Sequence, residues 1–239
     1  MSFRSGYVLV AHGSRDPRSQ ASLQHLGAAV QQALPAQSDQ SWVKTATLEF
    51  GSVPLKQQIC DWSRQLHQID KIVIVPLFLL PGTHVRVDIP DVVSTVRQLL
   101  PDSIGIEVRS HLGSHPNLCQ LLRASMATVD IDRWILLSHG SRYPGGNQPI
   151  ETLAKQLDAV PAYWSVPPSL QQTVAQIATQ PGLKVGIQPY FLFTGSIIDT
   201  ISQEIDQLKC DFKYINLIFS SPLEPSAPLV DLIQDLITA

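Results

Sequence analysis

The sequence predicts an α/β fold: two tandem doubly wound parallel-sheet domains that arose from an internal duplication. An apolar run that ends in His-Gly-Ser-Arg occurs twice, at residues 8–15 and 135–142. In both halves, segments typical of buried strands alternate with amphipathic segments typical of helices, and this order produces parallel sheets covered by helices. The halves meet near Asp130, which places the predicted domains at 1–130 and 131–239.

The first half supplies four pairs of a strand and a helix. Pro35 closes the first helix, and Pro54 suits the first turn of the second helix. The segment from Lys71 to Leu80 is so continuously apolar that it is predicted to be a central strand. The predicted strands are 8–12, 42–48, 71–80 and 104–108, and the predicted helices are 19–34, 54–67, 89–100 and 117–129.

The second half repeats this order. Gly195 stands where Gly82 stood, directly after another apolar segment. The predicted strands are 134–138, 162–164, 183–193 and 214–219, and the predicted helices are 149–157, 167–179, one that ends near 208 and a last one from 229. Corresponding positions of the two halves can therefore be compared.

Composition and charge exclude several classes of protein. The net charge of −3, from 17 basic and 20 acidic residues, does not favour nucleic-acid binding. The longest apolar run, 72–81, is about half of what a bilayer span needs, and the amino terminus enters the first strand without an apolar signal region. Cys60, Cys119 and Cys210 form no Cys-x-x-Cys pair and are predicted to be buried free thiols in a reducing compartment. We therefore expect a cytoplasmic protein with no nucleic-acid or membrane partner.

Three side chains that can bind a metal follow three successive strands of the first half: His12, Glu49 and His84. Because the carboxyl ends of parallel strands meet at the same edge of a sheet, we expect these side chains to converge on one crevice. Two imidazoles and one carboxylate suit a borderline divalent ion, and they leave coordination positions open for a substrate.

The second half lacks most of this set. His139 remains, but Trp164 falls near the place of Glu49, and Ile197 takes the place of His84. Taken singly, a histidine at a strand end is more often structural, and a loop carboxylate is more often solvated. A functional metal site is indicated because the three donors occur together in the first half, whereas the second half does not keep the full set. His139 is predicted to be structural.

Three motifs carry a family resemblance. They are Val-Ala-His-Gly-Ser-Arg-Asp-Pro at 10–17, Leu-Glu-Phe at 48–50, and Val-Pro-Leu-Phe-Leu-Leu-Pro-Gly-Thr-His-Val-Arg-Val-Asp-Ile-Pro at 75–90. Together they resemble the class II tetrapyrrole chelatases, and most closely the sirohydrochlorin chelatases in their long two-domain form. The resemblance covers nearly the whole chain. It implies two chelatase-like, flavodoxin-like domains, of which the first carries the metal site and the second is degenerate.

The resemblance also implies an activity: insertion of a divalent metal into sirohydrochlorin, a polycarboxylate macrocycle, without ATP. By position, His12 and His84 would bind the metal and accept pyrrole protons, and Glu49 would assist. Imidazole suits both roles, because it binds metal when neutral and accepts a proton near pH 7. The metal is a substrate, with no permanently bound cofactor; Fe²⁺ for siroheme synthesis is expected first and Co²⁺ for a corrinoid pathway second. Two repeats in one chain favour a monomer with an internal pseudo-dimer.

Four further residues are predicted to bind the substrate. Arg15 and Arg86 lie close to the donors in sequence, and guanidinium groups pair with carboxylates in bidentate fashion. Ser14 and His115 are expected to assist them.

Three alternative functions stay open. A histidine phosphatase also has His-Gly after its first strand, but it needs Arg before that His, where Ala11 stands. A non-enzymatic metal carrier could use the same three ligands and would bind metal without turnover of a tetrapyrrole. A flavodoxin-like cofactor binder would need a glycine-rich phosphate loop, which the first turn lacks.

Overall fold

Eight strands and eight α-helices alternate along the chain in this computed structural model, which describes residues 4–34, 41–66 and 69–239. The strands are β1 Ser5–Ala11, β2 Ser41–Thr47, β3 Lys71–Pro76, β4 Gly105–Val108, β5 Arg133–Ser138, β6 Ala159–Tyr163, β7 Lys184–Pro189 and β8 Asn216–Phe219. The helices are α1 Pro17–Ala33, α2 Leu55–Gln65, α3 Ile89–Leu99, α4 Leu118–Met126, α5 Gln148–Gln156, α6 Leu170–Ile177, α7 Ser196–Asp211 and α8 Ala227–Thr238. A π-helical turn, His84–Asp88, leads into α3, and a 3-10 turn, Leu112–Ser114, precedes α4.

The strands form two parallel sheets of the same order, β2-β1-β3-β4 and β6-β5-β7-β8. The predicted doubly wound α/β fold is thus confirmed. In this order β2 and β3 lie on opposite sides of β1, so the strand order reverses direction between β1 and β3, and such folds bind ligands at the carboxyl edge of this point. The apolar segments predicted to be central strands form β1 and β3, the two inner strands. Their residues Leu9, Ile72 and Ile74 have no exposed surface.

The described residues within 1–118, together with 225–239, form one compact unit, and residues 119–224 form a second. The first unit includes α8, which packs against α1 and β3. The units divide the chain differently from the predicted domains 1–130 and 131–239, because the last helix of the chain belongs to the first unit and most of α4 belongs to the second. Apolar residues decide this, since α8 buries six of them, including Leu229 and Ile233.

The third strand is shorter than predicted. It ends at Pro76 rather than at Leu80, because β1 also ends there: the amide of Leu77 makes the last hydrogen bond, to the carbonyl of Val10. The next helix also begins earlier than predicted, with the π-helical turn at His84. The predicted helix ends at Pro35 and near residue 67 lie outside the described residues.

Two further observations bear on the predicted class of protein. In the parts of the chain that the structure describes, no helix combines the length and apolar character needed to cross a membrane. The three cysteines are free thiols, as predicted, but only Cys60 is buried, whereas Cys119 is half-buried and Cys210 is exposed.

Candidate metal centre

The structure brings His12, Glu49 and His84 together at the carboxyl edge of the first sheet. His12 directly follows β1, Glu49 follows β2 closely, and His84 lies beyond the loop after β3. One ligand atom from each residue lies within 4.8 Å of the other two. An ion bound at about 2.0–2.2 Å holds its ligand atoms roughly 3–3.5 Å apart, so small side-chain movements would close these donors around an ion. We call these three residues the donor cluster.

The donor cluster is open to solvent. The side chains of His12 and Glu49 are 45% and 46% exposed, and that of His84 is 30% exposed. Nε2 of His12 lies 3.7 Å from Oε2 of Glu49, and the rings of His12 and His84 meet edge to face with centroids 4.8 Å apart. Such an arrangement can hold an ion and leave coordination positions for a second ligand, whereas a closed cage of four ligands would retain the ion.

Backbone hydrogen bonds beyond the strand ends fix Glu49 beside His12. The amide of Leu48 donates to the carbonyl of Ala11, and the amide of Glu49 donates to the carbonyl of His12. Gly13 makes this approach possible, because its φ is +100° and a Cβ there would lie 2.0 Å from the carbonyl oxygen of Glu49. Glycine alone fits this position without displacing the Glu49 loop.

The π-helical turn orients His84. Nδ1 of His84, at the start of the turn, lies 2.6 Å from Oδ2 of Asp88, at its end. A ring nitrogen that donates its proton to a carboxylate leaves the lone pair of the other nitrogen, Nε2, free for a metal. Nδ1 of His12 has a neutral partner instead, the carbonyl oxygen of Gly13 at 3.2 Å. Both imidazoles can therefore present Nε2 to an ion.

Aromatic rings border the two imidazoles. The ring centroid of Phe78 lies 6.5 Å from that of His12 and 5.7 Å from that of His84. The ring of Phe50 lies 5.8 Å from that of His12, centroid to centroid. The donor cluster thus has an apolar, aromatic border, a surface that suits a flat conjugated ligand.

Three of the four predicted substrate-binding residues lie in the loops that carry the donors. Arg15 is exposed, and its guanidinium carbon lies 5.2 Å from the ring centroid of Phe50. Arg86 is exposed within the π-helical turn. The hydroxyl of Ser14 accepts a hydrogen bond from the amide of Asp16, so it supports the turn before α1. The two arginines remain available to a ligand.

His115 faces the interior of the first unit. Its side chain is 6% exposed, its Nε2 lies 3.5 Å from Oδ2 of Asp235 on α8, and its Nδ1 accepts a hydrogen bond from the amide of Asn117. These contacts hold a loop against a helix and do not suit the predicted role in binding substrate. A neighbouring histidine is closer to the charged groups of the site: burial, aided by the charge of Arg86, lowers the pKa of His111.

The second half preserves the backbone of the site and one donor, His139, but lacks the other two donors. The amide of Ser165 donates to the carbonyl of His139 at 2.9 Å, which matches the bond from Glu49 to His12. The counterpart of Glu49 is therefore Ser165, one residue beyond the predicted Trp164. Nδ1 of His139 lies 3.1 Å from the carbonyl oxygen of Gly140, as in the first half.

Asp88, Phe50 and Phe78 are site residues that the sequence motifs did not indicate. Asp88 has a signal that could have found it, the four-residue spacing from His84, which places two side chains on one face of a helix. Phe50 and Phe78 lie within the motifs, but nothing in their residue type or spacing indicates that their rings border the donor cluster.

The chain is similar to known proteins in sequence and in fold. The CbiX family model matches the chain twice, at residues 6–129 and 133–239. A sirohydrochlorin ferrochelatase of Bacillus subtilis (strain 168) is 26% identical in an alignment 150 residues long, which covers 58% of this chain and 57% of the relative. The chain thus matches little more than half the length of that relative. A sirohydrochlorin cobaltochelatase of Priestia megaterium is 23% identical in an alignment 239 residues long, which covers 89% of this chain and 72% of the relative.

A solved structure shows the same fold. The structure of SirB from Bacillus subtilis with Fe³⁺ superimposes with a TM-score of 0.77 at 21% identity, over 99% of this chain and 95% of that chain. The two matches of the family model cover both halves of the sequence, including all three residues of the donor cluster. The chain therefore belongs to the CbiX family, a family of class II chelatases.

Proposed function

We propose that this chain inserts a divalent metal into sirohydrochlorin without ATP. The observation that carries the proposal is the donor cluster: two imidazoles and a carboxylate, open to solvent, at the ligand-binding edge of a sheet in a CbiX-family chain. The relatives named as sirohydrochlorin ferrochelatase and cobaltochelatase support the substrate.

The donor cluster has two tasks in this reaction. Nε2 of His12, Nε2 of His84 and the carboxylate of Glu49 hold M²⁺ and leave positions for pyrrole nitrogens. The macrocycle gives up two N–H protons as the metal enters. As the metal passes from the donor cluster to the macrocycle, the Nε2 lone pair of each imidazole becomes free, so each ring can accept one pyrrole proton at Nε2 and pass it to water. No redox change is involved, and the products are the metallated macrocycle and two protons.

Fe²⁺ is the metal we propose first, and Co²⁺ is the alternative. Imidazole and carboxylate accept both ions, so the donor set does not separate them, and supply in the cell contributes to the choice. The relatives support both, since one is named as a ferrochelatase and another as a cobaltochelatase.

We also propose that the sequence repeats 1–130 and 131–239 are the duplicated units, and that the chain works as a cytoplasmic monomer. The family model supports the repeats, because its two matches divide between residues 129 and 133. Light scattering coupled to size-exclusion chromatography tests the monomer, and a stable dimer would contradict it.

The proposed function is tested by absorbance under anaerobic conditions, with sirohydrochlorin and either Fe²⁺ or Co²⁺. The wild type and the matched control His139→Ala should shift the spectrum far faster than the uncatalysed reaction. His12→Ala and His84→Ala should not. If the wild type matches the reaction without enzyme, the chelatase proposal is wrong. A wild type that binds Co²⁺ tightly but leaves sirohydrochlorin unchanged would favour a metal carrier.

A further inference from the structure

Phe50 combines two features that are unfavourable for folding. Its φ is +56°, in the left-handed region that favours glycine. Its large apolar side chain is 47% exposed to solvent. Gly51 follows directly, so a residue that adopts a positive φ without strain lies only one position away. Unfavourable backbone conformations of this kind cluster at functional sites.

The loop that carries Phe50 is held from both sides. On one side, the amide of Glu49 donates to the carbonyl of His12 at 2.8 Å. On the other, the side-chain amide of Gln58 donates to the carbonyls of Thr47 and Val53 at 3.0 and 2.7 Å. The backbone of Phe50 is therefore placed by the fold, and its ring lies beside the donor cluster.

The surroundings of the Phe50 ring suit a flat anionic ligand. The guanidinium of Arg15 lies over the ring, 5.2 Å from its centroid, and the ring of His12 lies 5.8 Å away at 42°. A cation over an aromatic face is attracted to it, so Phe50 also orients Arg15. The pair offers an apolar ring and a guanidinium side by side.

The second half lacks the aromatic member of this pair, as it lacks two of the three donors. Ser165 is the counterpart of Glu49, because its amide makes the matching backbone bond to the carbonyl of His139. The next residue, Val166, is therefore the counterpart of Phe50, and its φ is not positive. The aromatic residue and its left-handed backbone therefore occur in the half that carries the donor cluster.

We infer that Phe50 and Arg15 form a docking pair for the tetrapyrrole, in which the ring packs on the conjugated face and the guanidinium binds a peripheral carboxylate. The inference rests on the proposed function, because it takes sirohydrochlorin as the ligand. The docking pair holds the macrocycle beside the donor cluster and takes no part in proton transfer. Its loss should therefore weaken substrate binding and leave metal binding unchanged.

The test separates the ring from the backbone. Phe50→Gly and Phe50→Asn suit the left-handed conformation but lack the ring, whereas Phe50→Trp keeps an aromatic ring. The matched control is Tyr143→Asn, which removes an aromatic side chain that is 72% exposed in the second half. Sirohydrochlorin binding to the metal-free protein is followed by fluorescence quenching, and Co²⁺ binding is titrated separately.

Phe50→Gly and Phe50→Asn should raise the Kd and KM for sirohydrochlorin roughly 3- to 10-fold, the range of an aromatic contact. The kcat and the Kd for Co²⁺ should stay within about twofold of the wild type. Phe50→Trp should retain binding. Arg15→Gln should weaken binding in a salt-dependent way, and its matched control Arg142→Gln should not.

Three outcomes would overturn the docking pair. The first is an unchanged Kd for sirohydrochlorin in both Phe50→Gly and Phe50→Asn. The second is an equal loss of sirohydrochlorin affinity in Tyr143→Asn. The third is a parallel loss of Co²⁺ affinity in the Phe50 variants, which would mean that Phe50 supports Glu49 instead. A wild type that binds sirohydrochlorin without metallating it refutes the proposed function and leaves the docking pair standing. A metal-free wild type that does not bind sirohydrochlorin refutes the docking pair.

Discussion

Asp88→Asn is expected to alter the donor cluster, although it replaces none of the three donor residues. Oδ2 of Asp88 lies 2.6 Å from Nδ1 of His84. A neutral amide at this position either accepts the Nδ1 proton more weakly or rotates and donates to Nδ1. In the second case the ring carries its proton on Nε2, the nitrogen that faces the metal in our proposal. Both outcomes make the Nε2 lone pair less available.

The size of the effect follows from two independent ranges. Mutation of the outer partner of a metal-binding histidine lowers metal affinity about 10- to 100-fold, which equals about 1.4–2.8 kcal/mol. A hydrogen bond to a charged group contributes about 1.5–3 kcal/mol, so the two ranges agree. Because the side chain of His84 is 30% exposed, solvent screens part of the interaction. We therefore expect a loss at the lower end, roughly 10- to 30-fold.

The assay is a titration of the metal-free protein with Co²⁺, followed by its visible absorbance. Asp91→Asn is the matched control, since it removes the same charge from an exposed position in the first turn of α3. Long-range proton–nitrogen NMR of the His84 ring reports the tautomer, which a purely structural role for Asp88 would not change. Equal Co²⁺ affinities in the two variants, with Nδ1 still protonated, would refute the reasoning.

Two further predictions concern stability. Gly13→Ala should lower the melting temperature clearly more than Gly145→Ala. Both positions have a positive φ, so an alanine at either one costs about 1–2 kcal/mol for its left-handed backbone. Only the Cβ at position 13 would also clash with the carbonyl of Glu49, since nothing lies within 4 Å of a Cβ at position 145. Equal shifts of the melting temperature in scanning fluorimetry would contradict this. Burial, aided by Arg86, lowers the pKa of His111, so its stabilising contribution is complete above the unfolded pKa of about 6.5 and is lost as the pH falls toward the folded pKa. His111→Gln should flatten the decline in urea stability below about pH 6.5, and an unchanged slope would count against it.

Local patterns in the sequence predict the strands, the sheet type and the meeting of His12, Glu49 and His84, because each depends on one rule. Apolar runs form central strands, and the carboxyl ends of parallel strands share an edge. Neither the π-helical turn at His84 nor the φ of Phe50 follows from such a rule. The loop of Phe50, for example, is held by side-chain hydrogen bonds from the Gln58 amide to the carbonyls of Thr47 and Val53, which no periodic pattern predicts.

The placement of α8 also lies beyond a local pattern. Its apolar face predicts that it is buried, but the sequence does not say against which sheet. In the structure the Arg109 guanidinium donates to the carbonyl of Ile237 at 3.2 Å, and Asp235 lies beside His115. These contacts join residues more than a hundred positions apart, and they also explain why His115 is unsuited to binding substrate.

The second half offers a test of how much of the site is scaffold and how much is side chain. Its backbone bond from Ser165 to the carbonyl of His139 is 2.9 Å long, against 2.8 Å for Glu49 to His12, and Nδ1 of His139 has the same kind of carbonyl partner as His12. If the scaffold is sufficient, Ser165→Glu together with Ile197→His should build a second donor set around His139.

That second site should bind more weakly than the first. Position 201, four residues after 197, holds Ile201, which is buried in α7, so the new histidine at 197 has no carboxylate partner like Asp88. We expect Co²⁺ to bind about 10- to 100-fold more weakly than at the first site. The measurement is a Co²⁺ titration in a His12→Ala, His84→Ala background, with that background alone as the control. Affinity equal to the native site would show that Asp88 contributes nothing, and no binding at all would show that the shared backbone does not suffice to place the donors.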